Sequence, residues 1–282
     1  MISLVLSDLH HIKESPVSCK KKRAITSLSH RNKFDLVLLC GDNAELINDL
    51  SNHEDLFGFL KKTFECPIGF IPGNHELWGK VISVSSEKLL YEIFPRVAEL
   101  MEMKYLESSN IILDGWTIAG TYGHYDYSLG RTGKAVRLEN FKTGKLVLNG
   151  KENTWNDHEY MDWGKKKNEE VCTELAKGLE KRIKGIEKNL IVITHGAPGY
   201  ELSGYPSSTI QDFLGAFTGS EKFAQICEKY PVSYYFFGHT HSTAKGKINN
   251  ATLVNVGSDY KNLAYCILDT EKKEINAGTV GF

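Results

Sequence analysis

The 282-residue chain lacks any long hydrophobic run: the longest span about five residues, as in Leu36 to Cys40, where a bilayer-crossing helix needs roughly 20. It also lacks an excess of either charge. Its 34 Lys and Arg face 35 Asp and Glu, a formal net charge of -1, which excludes a chain that is basic throughout and wraps nucleic acid. No two of the six cysteines, at 19, 40, 66, 172, 227 and 266, are spaced as a CxxC zinc or redox motif. The opening MISLVLSDLHH has no basic segment before its apolar stretch and no cleavage pattern after Ser7. The expectation is reduced thiols, a cytoplasmic location and no membrane partner. Repeats, low-complexity tracts and Pro- or Ser-rich linkers are missing too, so residues 1–282 are expected to form one domain.

What is present is a series of short apolar runs. Ile2 to Ser7, Leu36 to Cys40, Ile68 to Pro72, Leu190 to Thr194 and Tyr234 to Phe237 read as buried strands. Helical periodicity fills Lys20 to Arg31 and Glu45 to Phe64, and further helices are expected over Glu87 to Lys104, Asp157 to Lys184 and Glu221 to Lys229. Strand–helix alternation in the first half implies right-handed crossovers and a largely parallel sheet. Turn signals around Ile111 to Gly120 and from Lys245 to Gly278 suggest antiparallel hairpins, with a second sheet as their natural place.

Every one of the five strands is followed by polar residues: Asp8-Leu9-His10, Gly41-Asp42-Asn43, Gly73-Asn74-His75-Glu76, His195-Gly196 and Gly238-His239-Thr240-His241. In an open α/β sheet, ligands bind beyond the carboxyl ends of the strands, so these clusters point at one rim. Carboxylates and imidazoles together suit manganese, iron or zinc better than magnesium. There are enough groups for two metals sharing a carboxylate, and such pairs, about 3.5–4 Å apart, activate water against phosphate esters.

The ordered set DLH, GDN, GNHE, isolated His and GHTH resembles the calcineurin-like metallophosphoesterase superfamily, from residue 8 to residue 241. The resemblance implies an α/β fold of two packed mixed β-sheets flanked by helices, a four-layer αββα sandwich with the metal site at the rim. It implies that Asp8, His10 and His241 hold one divalent ion, that Asn74, His195 and His239 hold a second, and that Asp42 bridges both. It gives His75 the phosphate or the leaving oxygen rather than a metal. Manganese is the first expectation, then iron or zinc. A water shared by two cations would lose a proton near neutral pH and attack as hydroxide, one metal alone bringing bound water to about 7. His75 would protonate the departing oxygen. Glu45, where one branch of the family has an Asp that orients the His75 equivalent, is a candidate for the same task. An ordinary first-turn helix glutamate is the alternative. Position 46 is Leu where that branch has Arg, and position 45 is not the Tyr of the purple acid phosphatases.

Other residues carry weaker expectations. His11 is either a neighbour of the site or solvent-facing. His30 and His53, and the runs Lys20 to Arg23 and Lys165 to Lys167, are expected at the surface. Residues 123 to 151 carry six Lys and Arg against two acids and read as an inserted loop or hairpin, a partial cap over the rim. His124 and Arg131 are its candidates for substrate contact. Tyr122, Tyr125, Trp155, His158 and Trp163 form an aromatic set around it, read as packing. The expected activity is hydrolysis of phosphate mono- or diesters on a small phosphorylated substrate, without a stable nucleic-acid complex. A nuclease of the same fold and a non-catalytic scaffold are the alternatives.

Overall fold

The computed structural model describes residues 1–202 and 208–282. In chain order the strands are β1 (Ile2–Leu6), β2 (Leu36–Cys40), β3 (Ile68–Ile71), β4 (Lys104–Tyr105), β5 (Ile111–Leu113), β6 (Trp116–Thr121), β7 (Lys145–Leu148), β8 (Lys151–Thr154), β9 (Leu190–Thr194), β10 (Val232–Phe237), β11 (Thr243–Ile248), β12 (Ala251–Val256), β13 (Asn262–Asp269) and β14 (Glu274–Gly281). The α-helices are α1 (Pro16–Arg31), α2 (Ser51–Thr63), α3 (Ser86–Lys88), α4 (Phe94–Leu100), α5 (Leu138–Thr143), α6 (Asp157–Tyr160), α7 (Asn168–Ile183), α8 (Thr209–Gly215) and α9 (Glu221–Lys229).

Two mixed six-stranded sheets result, in the orders β14-β13-β1-β2-β3-β4 and β11-β12-β10-β9-β6-β5. In each, the central strands are parallel; the second sheet closes with an antiparallel hairpin at both edges, whereas the first does so only at β13–β14 and ends at its other edge on β4, parallel to β3. Side chains alternate between faces, and each strand feeds two cores. Val5, Leu38, Ile71, Ile193, Phe236 and Val254 interlock between the sheets. Leu4, Leu6, Val37 and Leu39 point the other way, onto helices that include α1 and α2. Leu190 and Val192 pack on α7 and α9 through Cys172, Leu179, Phe223 and Ile226. This is the expected four-layer sandwich. Among the described residues no helix is long and apolar enough to cross a membrane.

Four expectations change. The hairpin β13–β14 joins the first sheet, where β13 runs antiparallel to β1, rather than the second. Residues 45–50 are not helical although Leu46 is buried; Glu45 instead donates its N–H to the His11 carbonyl at 3.0 Å. Helix over 157–184 breaks between α6 and α7, where Gly164 takes φ 62° and its N–H bonds the Asp162 carboxylate at 2.9 Å. The 87–104 helix instead runs from α3 through a π-helical turn at Leu89–Ile93 and ends with α4 at Leu100. Pro95, lacking an N–H, sits just after that turn, and π-turns accommodate such an interrupted ladder.

Candidate metal centre

The chain turns through left-handed backbone after β1, β2 and β10, and the five strand-end motifs come together at one rim. Asp8, His10, Asp42, His239 and His241 all adopt left-handed φ, between 44° and 72°. For residues with a Cβ this costs of order 1–3 kcal/mol each and persists only where the surroundings enforce it. Backbone bonds do so here: Asp8 N–H to Gly41 O at 3.0 Å, His10 N–H to Asp42 O at 2.9 Å, and His239 N–H to the Asp8 carboxylate at 2.9 and 3.0 Å. Close approach also fixes two glycines. A Cβ on Gly73 would lie 2.1 Å from the Asp42 carboxylate, and one on Gly238 would lie 2.2 Å from that of Asp8.

Three histidines, His10 and His195 buried and His239 half-buried, each anchor one ring nitrogen on oxygen and turn the other inward. His10 Nδ1 meets Glu45 Oε1 at 2.7 Å, His195 Nδ1 meets Cys40 O at 2.9 Å, and His239 Nε2 meets Phe217 O at 3.1 Å. The inward nitrogens converge: His10 Nε2 is 2.9 Å from His241 Nε2, and His195 Nε2 is 3.0 Å from both His239 Nδ1 and Asn74 Oδ1. Donors about 2.1 Å from a shared cation and at right angles to one another lie about 3 Å apart, so these spacings fit metal coordination. The anchoring acceptors fix the tautomer that leaves a lone pair inward. Asp42 faces both groups, with Oδ2 3.6 Å from His10 Nε2 and Oδ1 3.4 Å from His195 Nε2. Asp8, His10, Asp42 and His241 form one set able to hold a metal ion, with atoms within 4.8 Å of one another; Asp42, His195 and His239 form another.

Glu45 lies in the loop before α2, not in a helix, and spans two rings, His10 Nδ1 through Oε1 and His75 Nδ1 through Oε2 at 2.8 Å. His10, Glu45 and His75 also come close enough to hold a cation, but both Glu45 oxygens are committed to ring nitrogens. Glu45 therefore acts as a buttress. Burial pushes its carboxyl up, yet the bonds from His10 and His75 outweigh burial and bring it to about 2. For His75, burial disfavours the charged ring, but Asp42 and Glu45 prevail and raise it to about 9. The Asp42 carboxyl is likewise pushed up by burial but held well below the usual range by His195 and His75. The His75 ring stacks on Trp78 with centroids 3.9 Å apart.

Two buried carboxylates escaped the sequence reading. Glu76, the last residue of GNHE, accepts the N–H groups of Asn43, Ala44 and Gly73 at 2.6, 3.2 and 2.7 Å, stapling the second and third loops. Asp157 accepts Asn74 Nδ2 at 3.1 Å, Trp78 Nε1 at 2.7 Å and Trp155 Nε1 at 2.9 Å, which turns the Asn74 carbonyl oxygen inward. The motif itself marked Glu76, whereas nothing local marks Asp157, 83 residues from Asn74. Lys21, expected on a solvated face, is buried, and its Nζ donates to the Asp8 and Leu9 carbonyls at 3.2 and 3.0 Å, steadying the first loop. His53 is also buried rather than exposed, against Phe57 and Phe94. His11 is buried and bonds Asp55 at 2.6 Å.

A cleft of about 300 Å³ opens over the centre, lined by Asp42, Asn74, His75, His239 and His241 and walled by Trp78, Thr154, Trp155, Asn156, Leu214 and Tyr260. His124 and Arg131 do not line it. The His124 ring is buried, with Nε2 2.9 Å from Asn168 Oδ1 and Nδ1 3.3 Å from Tyr122 Oη. Arg131 lies over the Tyr200 ring, 3.8 Å from its centroid, beside Glu201 and on a different cavity. Residues 123–151 do not contribute to the wall; the residues just beyond them, 154–157, do. The segment packs through Tyr125, Tyr127, Phe141 and Leu146 on Phe213 and Phe217, around α8.

The calcineurin-like phosphoesterase family matches residues 1–243. The chain belongs to that family. Its fold is similar to that of the phosphopantetheinyl hydrolase of Mycobacterium tuberculosis, with TM-score 0.72 and 18% identity over 92% of this chain and 89% of the other. It is also similar to the protein TT1561 of Thermus thermophilus, with TM-score 0.59 and 13% identity over 98% and 97% of the two chains. No curated protein matches the chain. Family and geometry agree on a phosphoesterase-type hydrolase whose His and Asp groups are able to hold metal.

Proposed function

We propose that this member of the family hydrolyses phosphate esters at a dinuclear centre, with Asp8, His10 and His241 holding one divalent ion, Asn74, His195 and His239 the other, and Asp42 serving both. The observation that carries this reading is the set of anchored imidazoles whose second nitrogens converge at 2.9 and 3.0 Å beside a buried carboxylate that faces both groups. The donors mix imidazole, carboxylate and one amide oxygen, which favours manganese, with iron or zinc next. A bound pair of divalent ions would supply Lewis acidity toward phosphate and lower the pKa of bound water.

The remaining work falls to the protein. Asn74 contributes a neutral oxygen, so fewer negative charges oppose an anionic substrate. His75, held at Nδ1 by Glu45 and backed by Trp78, presents Nε2 to the cleft and donates a proton to the departing oxygen. Glu45 keeps that ring charged and aimed. The substrate is a small phosphorylated molecule, and a cytoplasmic setting suits six unpaired cysteines. Turnover of p-nitrophenyl phosphate or its diesters by the manganese-loaded chain tests the reading. Absence of turnover on all of them with metal bound contradicts it.

A further inference from the structure

The cleft is poor in cations. Among the described residues no lysine or arginine lines it, and the sequence of residues 203–207 contains none. Lys21 is spent on backbone carbonyls behind the first loop. Apart from a metal centre, the side-chain charge available to substrate is correspondingly small. A phosphate monoester carries about -1.5 to -2 near neutral pH, whereas a diester carries a single charge.

The walls are aromatic instead. The Trp78 ring is taken up by its stack on His75 and by Tyr160, with centroids 3.9 and 4.9 Å away. Trp155 lies flat on Phe217 at 5.0 Å and edge-on to His239 at 5.6 Å. Both tryptophans donate Nε1 to the buried Asp157 carboxylate, which sets their orientation from below. Tyr260 stands at the rim with its ring 4.9 Å from His10 and 5.0 Å from His241, and it is 55% exposed. Rings held in place offer apolar faces at low entropic cost.

From the cation-poor lining and the oriented rings we infer that the cleft selects phosphodiesters over monoesters, and among diesters those whose second substituent is flat and apolar, with Trp155 and Tyr260 as the specificity-determining residues. This inference rests on the phosphoesterase reading above and names its substrate class. Among the described residues no lysine or arginine is there to meet a monoester's second charge, and the second substituent of a diester covers the rings that a monoester would leave wet.

The test uses the full chain loaded with manganese. Methyl p-nitrophenyl phosphate and p-nitrophenyl phosphate share a leaving group, and kcat/KM for the diester should be higher by about tenfold or more, roughly the effect of one unmatched charge. Binding is read separately from tryptophan fluorescence. Diphenyl phosphate should bind about tenfold or more tighter than dimethyl phosphate, the scale of one stacked ring. Trp155→Ala should bring that ratio within about threefold, and Tyr260→Ala, at an exposed position where folding is not at stake, should reduce it. A monoester preference overturns the diester inference and leaves the hydrolase reading intact. Equal binding of diphenyl and dimethyl phosphate by the wild-type protein overturns the role of the rings. No turnover of any ester with manganese bound overturns the hydrolase reading itself.

Discussion

At the strand ends Asp8, His10, Asp42, His239 and His241 are held at positive φ by bonds between loops, and their side chains converge on one point. Between residues 123 and 157 the positive-φ positions Gly123, Tyr127, Gly144, Asn149 and Gly150 serve turns, and Tyr125, Tyr127, Phe141 and Leu146 build a small apolar core with Phe213 and Phe217. The first region stores backbone strain to aim polar groups; the second uses ordinary burial to set a wall in place. The two regions are thus held by different physical means, and Asp157, which accepts from Asn74 and from Trp155, joins them.

His239→Ala should break the first region most severely, removing a convergent nitrogen; metal content measured by elemental analysis should fall and turnover should drop to background. Next in size is His75→Ala, for which kcat should fall about 10²–10⁴-fold while metal content stays near that of the wild type. If His75→Ala loses metal as badly as His239→Ala, the division between holding metal and donating a proton is wrong. Glu45→Gln weakens the anchors of both His10 and His75, so about a 10–100-fold loss in metal affinity or kcat is expected, the usual scale for a partner behind a metal-binding histidine.

The second region is probed through stability. Burial lowers the His124 pKa from 6.5 to about 4, against the raising effect of Asn168. Because the unfolded chain binds the proton more readily, His124 leaves stability undiminished above pH 6.5 and lowers it as pH falls from there to about 4, by up to about 3 kcal/mol. Urea unfolding across that range should show a shallower acid loss for His124→Gln than for the wild type; parallel profiles would contradict the assignment. Arg131→Ala should have the smallest effect, with KM for any phosphate ester within about twofold of the wild type and stability within about 0.5 kcal/mol, since the side chain faces another cavity. A large rise in KM would restore residues 123–151 as a cap.

How much of this was legible in the sequence follows the same division. Strands such as Leu36–Cys40 and Leu190–Thr194 announce themselves because both faces are buried, and the motifs after them are contiguous. Asp157, Trp155 and Tyr260 were not legible as site residues, because only the packing of 154–157 and of the loop before β13 brings them to the rim. Lys21 and His53 misled for a related reason. Polar residues in amphipathic helices are ordinarily solvated, and only a carbonyl pair behind Asp8 or an aromatic bed of Phe57 and Phe94 overrides that.

The central claim is that one carboxylate, Asp42, serves two cations. Manganese bound per chain, measured by elemental analysis after equilibration at saturating metal, tests it most directly. Two ions in the wild type and impairment of both sites in Asp42→Asn are the predicted result; at most one tightly bound ion in the wild type, or loss of a single ion in Asp42→Asn with the other held unchanged, would contradict it.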